Sequence, residues 1–165
     1  MEGMKKRNLA VTRVFDAPVE QVWRAWVQPE MVKRWWGPDS FTCPLAEIDF
    51  RVGGTSLVCM RAPAEYGGQD MYNTWIYQKI VPMERFVYIL CFADKYGNII
   101  DPAQHGLPPE MPKEVRNQVT FKDLGNERTE VTVTEYDWPV GQMMELSRQG
   151  LEQCLDKMAA IFARD

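Results

Sequence analysis

Between residues 139 and 164 the side chains Val140, Met143, Met144, Ser147, Leu151, Cys154, Leu155, Met158, Ile161 and Phe162 recur at spacings of three and four. Glu145, Arg148, Glu152, Asp156 and Lys157 fall on the other side. This is the period of one long amphipathic helix. From Phe41 to Tyr136 the period is instead two, the signature of strands. A terminal helix with one apolar stripe must bury it, and the partner available is a sheet. The expected class is therefore α+β, a curved antiparallel sheet wrapped around the terminal helix. Such a sheet need not close fully on the helix, so the gap between them is a natural apolar cavity.

The strands are read at 9–15, 41–52, 55–61, 71–81, 85–93, 115–122 and 128–136. Gly53-Gly54, Glu65-Tyr66-Gly67-Gly68, Pro82-Met83-Glu84 and Gly125-Asn126 join them with turn chemistry, which implies an antiparallel meander. After the first strand, Asp16-Ala17-Pro18 breaks the chain. Val19, Val22, Trp23, Trp26 and Val27 then fit a short helix, and Met31, Val32, Trp35 and Trp36 a second one closed by Gly37-Pro38. Residues 94–113 carry four prolines and two glycines, a segment too long and proline-rich for a hairpin. The reading is a tail at 1–8 followed by a single domain at 9–165.

Composition narrows the function. Nineteen Lys and Arg against 23 Asp and Glu give a net charge of −4, no field for a nucleic acid backbone. No stretch approaches the ~18 apolar residues of a membrane span, and the N-terminus is not a signal peptide. Cys43, Cys59, Cys91 and Cys154 form no CxxC pair, so neither a zinc site nor a dithiol motif is indicated, and no cofactor is expected; reduced thiols suit the cytoplasm.

Several residues invite two readings. One ring of Trp35-Trp36 is expected inward and the other at a rim, packing helices or lining a cavity mouth. Asn73, Trp75 and Tyr77 share one strand face, while Tyr72, Thr74, Ile76 and Ile80 share the other. Counting apolar residues does not decide which is inward; if it is the first, Asn73 and Tyr77 need partners that a ligand can supply. Asn117 lies between Val115 and Val119 on an expected core face. The run 86–92 is apolar on both faces, so the second face needs a cover: a homodimer partner or the long loop. Gly53-Gly54 precedes a strand, not a helix, and reads as a turn rather than a phosphate loop. His105, the single histidine, has only Asp101 near it in sequence, and Glu135 and Asp137 read either as cavity-mouth acids or as solvated acids at a turn. Gly150 interrupts the terminal helix at a cost of about 1 kcal/mol, which points to a close approach by a strand or a bound molecule.

Val14-Phe15-Asp16-Ala17-Pro18, Val22-Trp23-Arg24-Ala25-Trp26, Arg34-Trp35-Trp36-Gly37-Pro38, Asp49-Phe50-Arg51-Val52-Gly53-Gly54, Ile80-Val81-Pro82-Met83-Glu84-Arg85, Val119-Thr120-Phe121 and the stretch from Gly150 to Met158 occur in a familiar order. Over residues 9–163 the chain resembles the helix-grip superfamily, also called START-like or SRPBCC, whose fold is that of the birch pollen allergen. Within it, the chain resembles the branch named after the heat-shock-protein-90 ATPase activator. That resemblance implies the fold but no single activity, since one fold hosts many functions. The family usually has Trp after this glycine; here Leu151 follows, which implies a differently shaped cavity.

The leading expectation is non-catalytic binding of a small apolar or amphipathic molecule between the terminal helix and the sheet. The candidate lining is Trp35, Trp36, Asn73, Trp75, Tyr77, Tyr88, Asn117 and Val119, facing Met143, Met144, Ser147, Leu151 and Met158 of the helix. Methionine supplies a deformable wall. The alternatives are a chaperone cofactor of the ATPase-activator type and a cyclase- or hydrolase-like enzyme using the same cavity. The isolation of His105 favours binding over catalysis.

Overall fold

The molecule, described by a computed structural model over residues 5–163, starts with β1 (Lys6–Phe15), α1 (Val19–Val27) and α2 (Pro29–Trp35). A meander follows: β2 (Thr42–Glu47), β3 (Thr55–Arg61), β4 (Asp70–Val81), β5 (Arg85–Ala93), β6 (Glu114–Gly125) and β7 (Arg128–Pro139). The chain ends in α3 (Gln142–Ile161). Residues 1–4 of the expected tail, and Arg164 at the expected helix end, lie outside the described residues.

All seven strands form one antiparallel, curved sheet in the order β1-β7-β6-β5-β4-β3-β2. Strands β2 to β7 lie beside their chain neighbours, through turns except between β5 and β6, which pair across the long proline-rich loop. The first strand instead closes the far side of the last one. The α3 helix lies against β1, β7 and α2, and the fold is α+β of the helix-grip type.

Strand pairing moves several boundaries. The first strand begins at Lys6 because its ladder with β7 continues to Lys6↔Pro139. For the same reason β7 runs to Pro139, and α3 starts only at Gln142, leaving Val140 51% exposed with its N–H given to Lys5 O at 2.9 Å. The second strand stops at Glu47 rather than Val52, where the chain turns through Arg51–Gly53. Gly54 sits so close to this turn that a Cβ would lie 2.4 Å from Asp49 O, which only glycine permits.

The main core lies between the sheet's concave face, α1, α2 and α3. Trp23 and Trp26 of α1 pack on Phe86, and Trp35 on Trp26 and Trp75. On β4 the inward set is Asn73, Trp75 and Tyr77. A bulge between Tyr77 and Lys79 shifts the phase, so Ile80 also packs on the core. On β5, Val87 and Ile89 of the outer face are half-buried, while Ile99 of the following loop bridges Ala93 at the strand's end. Among the described residues, no helix is long and apolar enough to cross a membrane.

Candidate functional site

The site begins with an irregularity in β7. Thr129, Val131, Val133 and Glu135 alternate inward, and strict alternation would turn Trp138 outward. Instead Leu9 faces Glu135 while Arg7 faces Trp138, so β7 carries one extra residue. Asp137 absorbs it at φ 61°, its N–H donating to Asn8 Oδ1 at 3.0 Å. Trp138 is thereby turned inward and is 1% exposed.

Glu135 and Trp138 now share one side of the sheet, and the indole Nε1 donates to Glu135 Oε1 at 2.9 Å. Ser147 Oγ, from α3, donates to the same oxygen at 2.8 Å. Burial raises the pKa of the Glu135 carboxyl above its ordinary value, opposed by the Ser147 and Trp138 bonds and by the charge of Arg148.

Glu135 opens on a cavity of about 210 Å³. The helix supplies Ser147, Gly150, Leu151 and Cys154; the sheet supplies Met60, Met71, Asn73, Leu90 and Phe92; Trp36, Pro38 and Met111 complete the wall. Asn73 is 3% exposed and donates to Cys91 O at 3.4 Å. The Cys154 thiol is pushed up to about 12 by burial and is neutral. Apart from its chain neighbours and the helix's own backbone, no atom of the described residues lies within 4 Å of the Cβ position of Gly150, so its missing side chain is open space on the cavity wall, not a close helix–strand approach.

Of the residues expected from sequence, Trp36, Asn73, Ser147 and Leu151 meet at this cavity. Trp75 packs on Trp36 with ring centroids 5.1 Å apart and on Tyr88 at 5.3 Å with the rings tilted. Trp35, Trp75, Tyr77, Tyr88, Val119 and Met158 belong to the main core. Trp35 Nε1 donates to Ala25 O at 2.7 Å, and Tyr77 shares a hydrogen bond of 2.8 Å with Ser56. Asn117 is closed on its own strand, donating to Val115 O at 3.1 Å. Met144 packs with Leu9, Val115 and Trp138 in a smaller cluster, which Met143 flanks.

The sequence leaves Glu135 between two environments, although its phase with Val131 and Val133 is the signal that it points inward. Met60, Met71, Leu90 and Phe92 carry no local signal, because the curvature of the sheet brings them together, and Met111 reaches them from the proline-rich loop. His105 leans on Phe92 with ring centroids 6.1 Å apart. Asp101 does not orient it: that carboxylate accepts from Ala103 N at 2.9 Å and pairs with Lys113 at 3.5 Å.

Two features border the cavity. Lys157 Nζ donates to Gly37 O at 2.8 Å and Phe41 O at 3.0 Å, pinning α3 to the segment that carries Trp36 and Pro38. On the other side, Met111 also forms part of an outer groove of about 510 Å³ between the proline-rich loop and Lys6, Asp137 and Pro139. One methionine thus stands in both walls.

A sheet gripping a terminal helix, with an apolar cavity between them, defines a helix-grip protein. Residues 16–163 match the family described as Activator of Hsp90 ATPase homolog 1-like protein, and the chain belongs to that family. A crystal structure of a Chromobacterium violaceum protein is similar at 28% identity, covering 96% of this chain and 98% of that one, with a TM-score of 0.76. Two more distant structures share the fold. A solution structure from Arthrobacter aurescens has 22% identity, covers 97% of this chain and 90% of that one, and has a TM-score of 0.76. A crystal structure of the family's protein from Silicibacter pomeroyi has 16% identity, covers 93% and 96%, and has a TM-score of 0.73. No curated protein matches the sequence.

Proposed function

We propose that this chain binds a small apolar or amphipathic molecule, without transforming it, in the cavity between α3 and the sheet. The carrying observation is that a mostly apolar cavity of about 210 Å³ receives three convergent polar side chains, Asn73, Glu135 and Ser147. That combination, an apolar wall with a few placed polar groups, is what a ligand site requires. Gly150 supports the reading, since a helix interior tolerates glycine at a cost of about 1 kcal/mol and the space it leaves belongs to the cavity. The size suits one ring with a short substituent, on the scale at which an apolar cavity of roughly 150 Å³ holds benzene.

Native mass spectrometry with solvent extraction of the purified protein, followed by a melting screen with single-ring compounds, tests it. A retained molecule, or a rise in Tm saturating with ligand, is expected. An empty protein whose Tm no compound moves would refute the reading.

The family's description names an activator of a chaperone ATPase, and the match over residues 16–163 supports a second reading as a chaperone cofactor. Direct measurement of Hsp90 binding and ATPase rate separates the two. A cytoplasmic location fits four free, buried cysteines, which a reducing compartment keeps as thiols.

A further inference from the structure

The polar side of the cavity is unbalanced in charge. Among the described residues, Glu135 is its only acid, and no Lys, Arg or His lies in the cavity wall. Among the described residues the ion pairs do not include Glu135, and the guanidinium of Arg148, whose charge acts on it, is turned to Glu145 at 3.6 Å. A carboxylate that is nine-tenths buried without a counterion is costly, and hydrogen bonds from neutral donors offset that only in part. Among the described residues both donors, Trp138 and Ser147, converge on Oε1, so Oε2 keeps its accepting capacity. The surrounding surface suits a cation. Trp36 and Phe92 present aromatic rings, and Met60, Met71 and Met111 present polarisable thioethers.

We infer that the occupant of this cavity is a small cationic amphiphile, a single-ring or short-chain amine whose ammonium pairs with Glu135 while its apolar part lies against Trp36, Phe92 and Leu151. This rests on the cavity reading above and adds the class of ligand. A carboxylate ligand of the same size is disfavoured by like charge, and a neutral alcohol forms a hydrogen bond without supplying the countercharge.

Four probes of one skeleton test it on the intact chain by calorimetric titration at neutral pH: 2-phenylethylamine, 2-phenylethanol, phenylacetone and phenylacetate. The amine is expected to bind about tenfold tighter than the alcohol, in keeping with a charge-assisted bond, and phenylacetate weakest. The alcohol is expected to compete with the amine for one site. Glu135→Gln, which retains an acceptor for Trp138 and Ser147, is expected to abolish the advantage of the amine and leave alcohol binding within about twofold. The ranking on the unaltered protein needs no variant. If the alcohol or the ketone equals or exceeds the amine, or if Glu135→Gln leaves the ranking unchanged, the cationic assignment falls and the cavity reading stands. If none of the four binds and extraction yields no retained molecule, both fall.

Discussion

Ser147 Oγ donates to Glu135 Oε1 at 2.8 Å, joining α3 to the last inward position of β7 before the bulge. The same oxygen takes the Trp138 indole, so helix, strand and bulge meet on one atom. Ser147→Ala removes one of the two donors and leaves a buried acid less satisfied. A loss of roughly 1 to 2 kcal/mol is expected, measured as a lower urea midpoint at unchanged slope.

Burial raises the Glu135 pKa from an ordinary value near 4.5, so the folded state holds this proton more tightly than the unfolded chain. The stability it contributes is fully present below the unfolded value and is lost as pH rises through the folded one. Asp70, Asp94 and Asp101 are shifted down and act in the opposite sense, but they cancel in a comparison with Glu135→Gln. The stability of the unaltered protein minus that of Glu135→Gln is therefore expected to fall from about pH 4.5 upward. Urea titrations across that range check the sign, and a rising difference would contradict the burial of the carboxyl.

Gly150→Ala separates stability from binding. The new methyl has open space, so helix propensity acts alone and raises stability by about 0.5 to 1 kcal/mol. The same methyl enters the cavity and weakens any single-ring ligand. A higher Tm with poorer binding is the expected pair of results from melting and titration.

Lys157 holds two carbonyls of the segment bearing Trp36 and Pro38. Lys157→Met keeps much of the stem but loses both bonds. Amide hydrogen exchange is expected to accelerate in residues 36–41, including Asp39, whose N–H donates to Gln153 Oε1, while the β5–β6 ladder stays protected.

Met111 stands in the walls of both the inner cavity and the outer groove. Met111→Ala opens one to the other. Ligands extended by two or three methylenes are expected to gain affinity over their short parents, by about 0.8 kcal/mol per newly buried CH₂ at most. Titrating a homologous series of alkylamines on both proteins measures it.

The architecture was legible because it follows from local rules. The apolar stripe of α3, the period-two runs and the glycine and proline joints each act over a few residues, and together they leave a sheet and a helix one way to bury their apolar faces. Even the inward direction of Glu135 was written in its phase with Val131 and Val133. Ser147 was likewise visible as a polar group within an apolar stripe, whereas Asn73 was visible only as a polar group on a strand whose inward face counting left open.

What the tertiary structure decided is register and phase. One extra residue opposite Asn8 turns Trp138 onto Glu135, and a bulge after Tyr77 turns Ile80 inward; neither shows in periodicity, because a bulge is set by the partner strand. Curvature decided the rest. It left Tyr77, Tyr88 and Met158 in closed packing, and brought Met60 and Phe92, far apart in sequence, to one cavity with Gly150 and Leu151, where Met111 of the proline-rich loop joins them. A sequence determines which side chains avoid water, but which of them end beside an empty volume depends on how far the sheet bends around its helix.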